Sequence, residues 1–224
     1  MHMRRAVADM ARTQAVLFDI SGVVVTARLD PSRIAELLGL DPAEEDSVAL
    51  VDHAVWFNRP AYDSGSLDDR RFWDTVAGDC GLPEVGDDRL ADLVAEDVAR
   101  MSAPDAPAIQ LAAELRDEGY RLGILANAPV CIAEAIRTSL WAQGMFDAMT
   151  FSGPLRIVKP SQGIYRQAGH DLGVDPARIL VLDDRRPNLR GAELAGMSGL
   201  LWETPQQVRE DLIERGVLRT AQAS

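Results

Sequence analysis

Short apolar runs that end on polar residues constrain this chain more than anything else in it. AVLF leads into Asp19, RLGIL into Ala126 and Asn127, and ILVL into Asp183 and Asp184. A strand buried on both faces reads as a continuous apolar run and meets solvent only at its ends. Between the runs lie amphipathic stretches: DAPAIQLAAELRDEG, closed by Gly119, a segment through Ile132 to Trp141, and another from about Gln162 to Leu172. A short strand is expected near AMTF, a last one at GLLW, and a closing helix from Thr204. Strand and helix in repeated alternation predict an α/β fold, a parallel sheet flanked by helices with right-handed crossovers. In an open parallel sheet, ligands bind beyond the carboxyl ends of the strands. Asp19, Asn127, Lys159, Asp183 and Asp184 fall just there and are expected to converge on one site.

The segment after the first run has another character. Asp30-Pro31 and Asp41-Pro42 each read as an N-cap with proline at the first helical position. Ser66 is expected to open a helix over SLDDRRFWDTVAGDC, and Asp87 or Asp88 one that runs to about Met101. That makes about four helices and no convincing strand. Between Arg28 and Met101 there are 18 acidic and 7 basic residues, a balance of −11, although the whole chain carries only −12. The expected organisation is therefore a core of residues 14–27 and 104–224, a helical domain of residues 28–103 inserted after the first strand, and a flexible extension at 1–13.

The same charge argues against nucleic acid and anionic membranes as partners. No apolar stretch is long enough to span a bilayer, and Asp9 interrupts the opening residues before a signal-like run develops, so a cytoplasmic protein is expected. Cys80 and Cys131 have no metal or redox spacing and are expected as free buried thiols.

Three carboxylates at one point repel each other unless a cation neutralises them, and a cluster of hard oxygen donors suits magnesium. Lys159 is the single lysine among 23 basic residues. An ammonium beside such a cluster would hold a carboxylate ionised and offer positive charge to an anion. Flanked by a metal and that ammonium, Asp19 becomes a nucleophile toward phosphorus, forming an acyl phosphate.

With these residues in this order, the chain from Gln14 onward resembles the haloacid dehalogenase superfamily of hydrolases, subfamily I, with a helical C1-type cap. Asp19-Ile20-Ser21-Gly22 stands where that family has aspartate, any residue, aspartate and glycine. Ala126 stands where a serine or threonine ends a strand, Lys159-Pro160 matches the family's lysine, and Asp183-Asp184 its acidic pair. The resemblance implies a Rossmann-like core and a Mg2+-dependent phosphatase working through phospho-Asp19. The metal would be held by Asp19, the backbone carbonyl of Ser21, Asp183 and Asp184. Catalysis would involve Asp19, Ser21, Asn127 and Lys159, with Asn127, Ala126, Lys159, Arg59, Trp56 and Arg185 toward the substrate. The implied partner is a small phosphorylated metabolite, and the chain a monomer or homodimer.

Two departures bear on activity. In the family's phosphatases the second aspartate protonates the leaving group and later activates water, and a serine hydroxyl does neither well; losing such a group typically costs ~10²–10⁴ in rate. Ala126 lacks a hydroxyl that would donate to a phosphoryl oxygen, a loss on the order of 10²–10³ where the donor belongs to an oxyanion site. Three readings follow. A working phosphatase would favour substrates with good leaving groups, such as acyl phosphates or phosphoanhydrides. A catalytically retired protein would keep the fold for binding or regulation. A metal-independent hydrolase acting at carbon, as in the dehalogenases, would have to tolerate Asp183 and Asp184 without a cation.

On the cap, Trp56, Phe57, Arg59 and Tyr62 read as either a lid over the substrate or packing between helices. Arg156, Arg185, Arg186 and Arg190 lie next to the core motifs and could supply a local positive field.

Overall fold

The computed structural model describes residues 13–219, so the expected extension at 1–13 falls almost wholly outside the described residues. Five strands form one sheet: β1 (Ala15–Phe18), β2 (Arg121–Ala126), β3 (Ala148–Phe151), β4 (Ile179–Asp183) and β5 (Ser198–Leu201). Their order is β3-β2-β1-β4-β5, and every pairing is parallel. β1 is central, with Phe18 level with Ile124 on one side and Leu182 on the other. The Asp19 N–H then donates to Leu182 O at 2.9 Å, which extends the ladder to the functional end of the strand.

Strand alternation distributes the core. Val16, Phe18, Leu122, Ile124, Leu180 and Leu182 pack on one face with α5 (Ala106–Asp117), α6 (Val130–Thr138) and, beyond the sheet, α11 (Pro205–Glu214). Leu17, Leu125 and Val181 face the opposite side, against α9 (Gln162–Leu172) and α10 (Arg186–Leu194). The sheet is thus buried between two helical layers, as the apolar runs require.

Between β1 and α5 the chain forms α1 (Pro31–Leu38), α2 (Glu45–Asp63), α3 (Asp69–Asp79) and α4 (Asp87–Ala99), then a 3-10 turn over Arg100–Ser102. These helices have their own apolar cluster, centred on Ile34, Val51, Phe72, Trp73 and Leu93, with Tyr62 stacked on Phe72 at 4.1 Å.

Several local expectations change. Asp41 does not cap α2; it makes a turn by accepting the Ala43 N–H at 2.9 Å, and Glu44 precedes the helix. Asp68, not Ser66, caps α3, because its carboxylate reaches Arg71 N at 2.9 Å. The helix expected through Trp141 stops at Thr138, and α7 (Leu140–Gln143) begins after Ser139, whose extended backbone and side-chain cap to Ala142 N break the continuity. A one-turn helix, α8 (Ser152–Leu155), follows β3. The two cysteines are free but only partly buried.

The helical insert sits directly on the strand-end loops. Ser152 Oγ accepts the Ala128 N–H at 2.9 Å and donates to Asp63 O at the end of α2. Gly65, at φ +73°, allows the close approach: a Cβ there would lie 2.4 Å from Gly153 O. Cys131 Sγ on α6 meets Tyr62 OH at 3.0 Å and adds a second contact between the layers. Among the described residues, no helix is long and apolar enough to cross a membrane.

Candidate active site

Each element delivers its polar residue to one point. β1 ends at Asp19, β4 ends at Asp183 with Asp184 next, and the loop between α8 and α9 brings in Lys159. The Lys159 ammonium lies 2.9 Å from Asp19 Oδ1 and 2.7 Å from Asp183 Oδ2, and it also donates to Leu125 O at 3.0 Å. Carboxylate oxygens of Asp19, Asp183 and Asp184 can all lie within 4.8 Å of one another. Three carboxylates against one ammonium leave two negative charges, which a divalent cation would neutralise with hard oxygen donors. The donor set therefore fits magnesium.

The carboxylates are not equivalent. Asp183 is fully buried; its oxygens take the Arg185 N–H at 2.9 Å and the Asn188 amide at 2.9 and 3.1 Å, besides Lys159. Asp184 is exposed, and Gly22, at φ +82°, leaves room for it: a Cβ on residue 22 would stand 2.6 Å from Asp184 Oδ2. Burial raises the Asp19 carboxyl to about 6, with Lys159 pulling the other way and Asp183 adding to the rise. Burial is also the main cause that raises Asp184, followed by the charge of Asp183. Removing these groups from water favours their neutral forms, so a cation is what would let them ionise together.

Asn127 has a more specific place than expected. Its Oδ1 accepts the Lys159 N–H at 2.8 Å and its Nδ2 donates to Lys159 O at 3.2 Å, so the carboxamide staples the lysine loop to the end of β2. Ala126 is buried at the end of β2, and the next two residues, Asn127 and Ala128, line the cavity. Asn188 closes the pattern LDD-x-x-x-N, which by sequence alone carries no assigned role. It holds Asp183 from α10, and Tyr165 OH in turn donates to Asn188 O at 2.6 Å. An asparagine four residues beyond an acidic pair is the signal for it.

A cavity of about 1030 Å³ lies between the site and the insert, lined by Asp19, Ser21 and Lys159 on one side and Trp56, Arg59 and Asp63 on the other. Of the four arginines near the core motifs, Arg185 lines it, whereas Arg190 pairs with Glu193 at 2.8 Å. Arg59 is buried and does not present a free charge: Nε meets Asp63 at 2.8 Å and Nη1 meets Asp97 at 2.7 Å. Arg100 Nε holds the other Asp97 oxygen at 2.9 Å. Trp56 donates from Nε1 to Asp52 at 3.0 Å, Phe57 is exposed beside His53, and Tyr62 packs inside the insert. The cluster expected from sequence thus divides, two members facing the cavity and two turning away.

Comparison with known proteins bears on the family and the fold. The family profile of haloacid dehalogenase-like hydrolases matches residues 13–196. A phosphatase of Mycobacterium tuberculosis is 26% identical over 208 residues, covering 89% of this chain and 91% of that protein. A sesquiterpene phosphatase of Aspergillus oryzae is 22% identical over 190 residues, covering 84% and 88%. A haloacid dehalogenase family enzyme of Bacteroides thetaiotaomicron, solved with magnesium and inorganic phosphate, shares the fold at a TM-score of 0.64 and 18% identity, covering 84% of this chain and 93% of its own. By profile, fold and strand-end chemistry together, the chain belongs to the haloacid dehalogenase-like hydrolases.

Proposed function

We propose that this hydrolase is a magnesium-dependent phosphatase acting on a small phosphorylated metabolite through phospho-Asp19, with the helical insert serving as its cap. The observation that carries the reading is Lys159 bridging Asp19 and Asp183 while Asp184 stays exposed beside them. Two curated relatives named as phosphatases support it.

Lys159 holds Asp19 in place through Oδ1, which also accepts the Ile20 N–H at 2.7 Å. Asp19 Oδ2 is the atom assigned to attack phosphorus; the P–O bond to the alcohol breaks as the acyl phosphate forms, and water later returns phosphate and free Asp19. Magnesium, when bound through Asp19, Asp184 and the Ser21 carbonyl, would offset the charge on the phosphoryl oxygens. Asp183, already engaged by Asn188 and Arg185, positions Lys159 more than it offers itself to a ligand. Arg185 and Trp56 line the cavity and are assigned to the organic part of the substrate.

The test is a phosphate-release screen with magnesium over sugar phosphates, acyl phosphates, phosphoanhydrides and alkyl phosphates, run on the native chain and on Asp19→Asn. The expected result is release that needs both magnesium and Asp19. Binding of magnesium and phosphate with no release anywhere in the panel would overturn the proposal and leave a binding protein; haloacid turnover that survives a chelator would overturn it in favour of chemistry at carbon.

A further inference from the structure

The first motif carries a serine at position 21, so the hydrolysis lacks the carboxylate that would move its proton. We infer that Asp63, the last residue of α2, supplies that proton transfer from the helical insert. The inference rests on the phosphatase reading above.

Asp63 faces the same cavity as Asp19, Ser21 and Lys159. It is fixed there from both ends. Its backbone carbonyl accepts from Ser152 Oγ, which takes the Ala128 N–H at 2.9 Å, so two hydrogen bonds join Asp63 to the loop that begins at Asn127. Its carboxylate is oriented by Arg59 Nε at 2.8 Å on Oδ1, while about 20% of the side chain stays accessible.

An ion pair with Arg59 alone would be a structural feature, but Arg59 already has a second carboxylate. Asp97, fully buried on α4, binds Arg59 Nη1 and Arg100 Nε. Arg59 from its own helix, Asp97 from α4 and Arg100 from the following turn are the charged groups facing Asp63. With Asp63 ionised the cluster of two guanidiniums and two carboxylates is neutral. With Asp63 protonated it carries one positive charge. An anionic phosphate entering the cavity therefore favours the protonated, proton-donating form. Burial places the Asp63 carboxyl at about 6, Arg59 opposing the rise, which is near neutrality, where a carboxyl both gives and takes a proton.

The steps balance without an outside reagent. Asp19 bonds to phosphorus, the ester P–O bond breaks, and the Asp63 proton goes to the departing alkoxide to give the alcohol. Ionised Asp63 then takes a proton from water as that water bonds to phosphorus, the P–O bond to Asp19 breaks, and phosphate leaves.

The experiment compares native protein, Asp63→Asn, and the double variant Ser21→Asp/Asp63→Asn on an aryl phosphate and an alkyl phosphate, by rapid quench with magnesium. In Asp63→Asn the expected result is a one-equivalent burst of phenol from the aryl phosphate followed by turnover slowed ~10²–10⁴-fold, and loss of alkyl phosphate turnover of similar size. Ser21→Asp in the double variant should restore both, which also shows that the fold survives. If Asp63→Asn slows both substrates equally with no burst, or leaves both unchanged, the inference is overturned while the phosphatase reading stands. If the native protein releases phosphate from neither, nor from the acyl phosphates and phosphoanhydrides of the screen above, the phosphatase reading itself fails.

Discussion

Lys159 Nζ stands between two carboxylates, 2.9 Å from Asp19 and 2.7 Å from Asp183, with only 1% of the side chain exposed. A buried ammonium with two acidic neighbours is charged at any ordinary pH, and both carboxylates together raise its proton affinity against the effect of burial. Lys159→Met would leave two buried carboxylates without their counter-charge. Removing one partner of such a group costs about 3–5 kcal/mol, so the metal-free variant is expected to melt earlier by calorimetry, and its magnesium-dependent phosphate release to fall by at least ~10².

Gly22 has a sharper consequence. A methyl group at that position would meet Asp184 Oδ2 at 2.6 Å, on a backbone with φ +82° that L side chains rarely adopt. Gly22→Ala is expected to push Asp184 aside and weaken magnesium binding by roughly 10–100-fold, the scale found when a ligand's support is disturbed. Isothermal titration with magnesium checks this, and far-UV circular dichroism should show the fold intact.

Proton competition should be visible in metal affinity. In the metal-free protein Asp19 keeps its proton up to about pH 6, because burial has raised it. Magnesium must displace that proton. Its Kd should therefore be nearly constant above pH 6 and rise about tenfold per pH unit below it. A flat Kd from pH 7 to pH 5 would mean that Asp19 is not among the ligands.

The ion cluster of the insert makes a separate stability prediction. Asp97 is fully buried and holds both Arg59 and Arg100. Asp97→Leu strands two guanidiniums with only Asp63 to share, and should destabilise the protein by about 3–5 kcal/mol in denaturant unfolding. Arg33→Ala, which loses the exposed pair with Glu36, should change stability by less than ~1 kcal/mol.

Much of this was legible in the sequence. AVLF and ILVL announced buried parallel strands, and the residues just past them, Asp19 and Asp183-Asp184, had to surface at one edge of the sheet. What local pattern could not supply was partnership across the chain. Arg59 reads as either lid or packing until α4 brings Asp97 under it, 38 residues away. The sequence marks Asn127 at a strand end but not its two hydrogen bonds to Lys159, 32 residues on. Helix starts differ too: Asp41 and Ser66 are good caps by type, but α2 starts after Glu44, whose side chain caps nothing, and α3 after Asp68, whose carboxylate does cap. Asp63 and Ser152 had no motif to mark them, because their relation exists only where the insert meets the core.

The most direct measurement is chemical: rapid quench of the native chain with acetyl phosphate and magnesium, followed by mass spectrometry of peptides. The expected result is one added phosphoryl group on the peptide containing Asp19, lost on removing magnesium and absent in Asp19→Asn. A phosphoryl group on any other residue, or steady phosphate release by Asp19→Asn at the native rate, would contradict it.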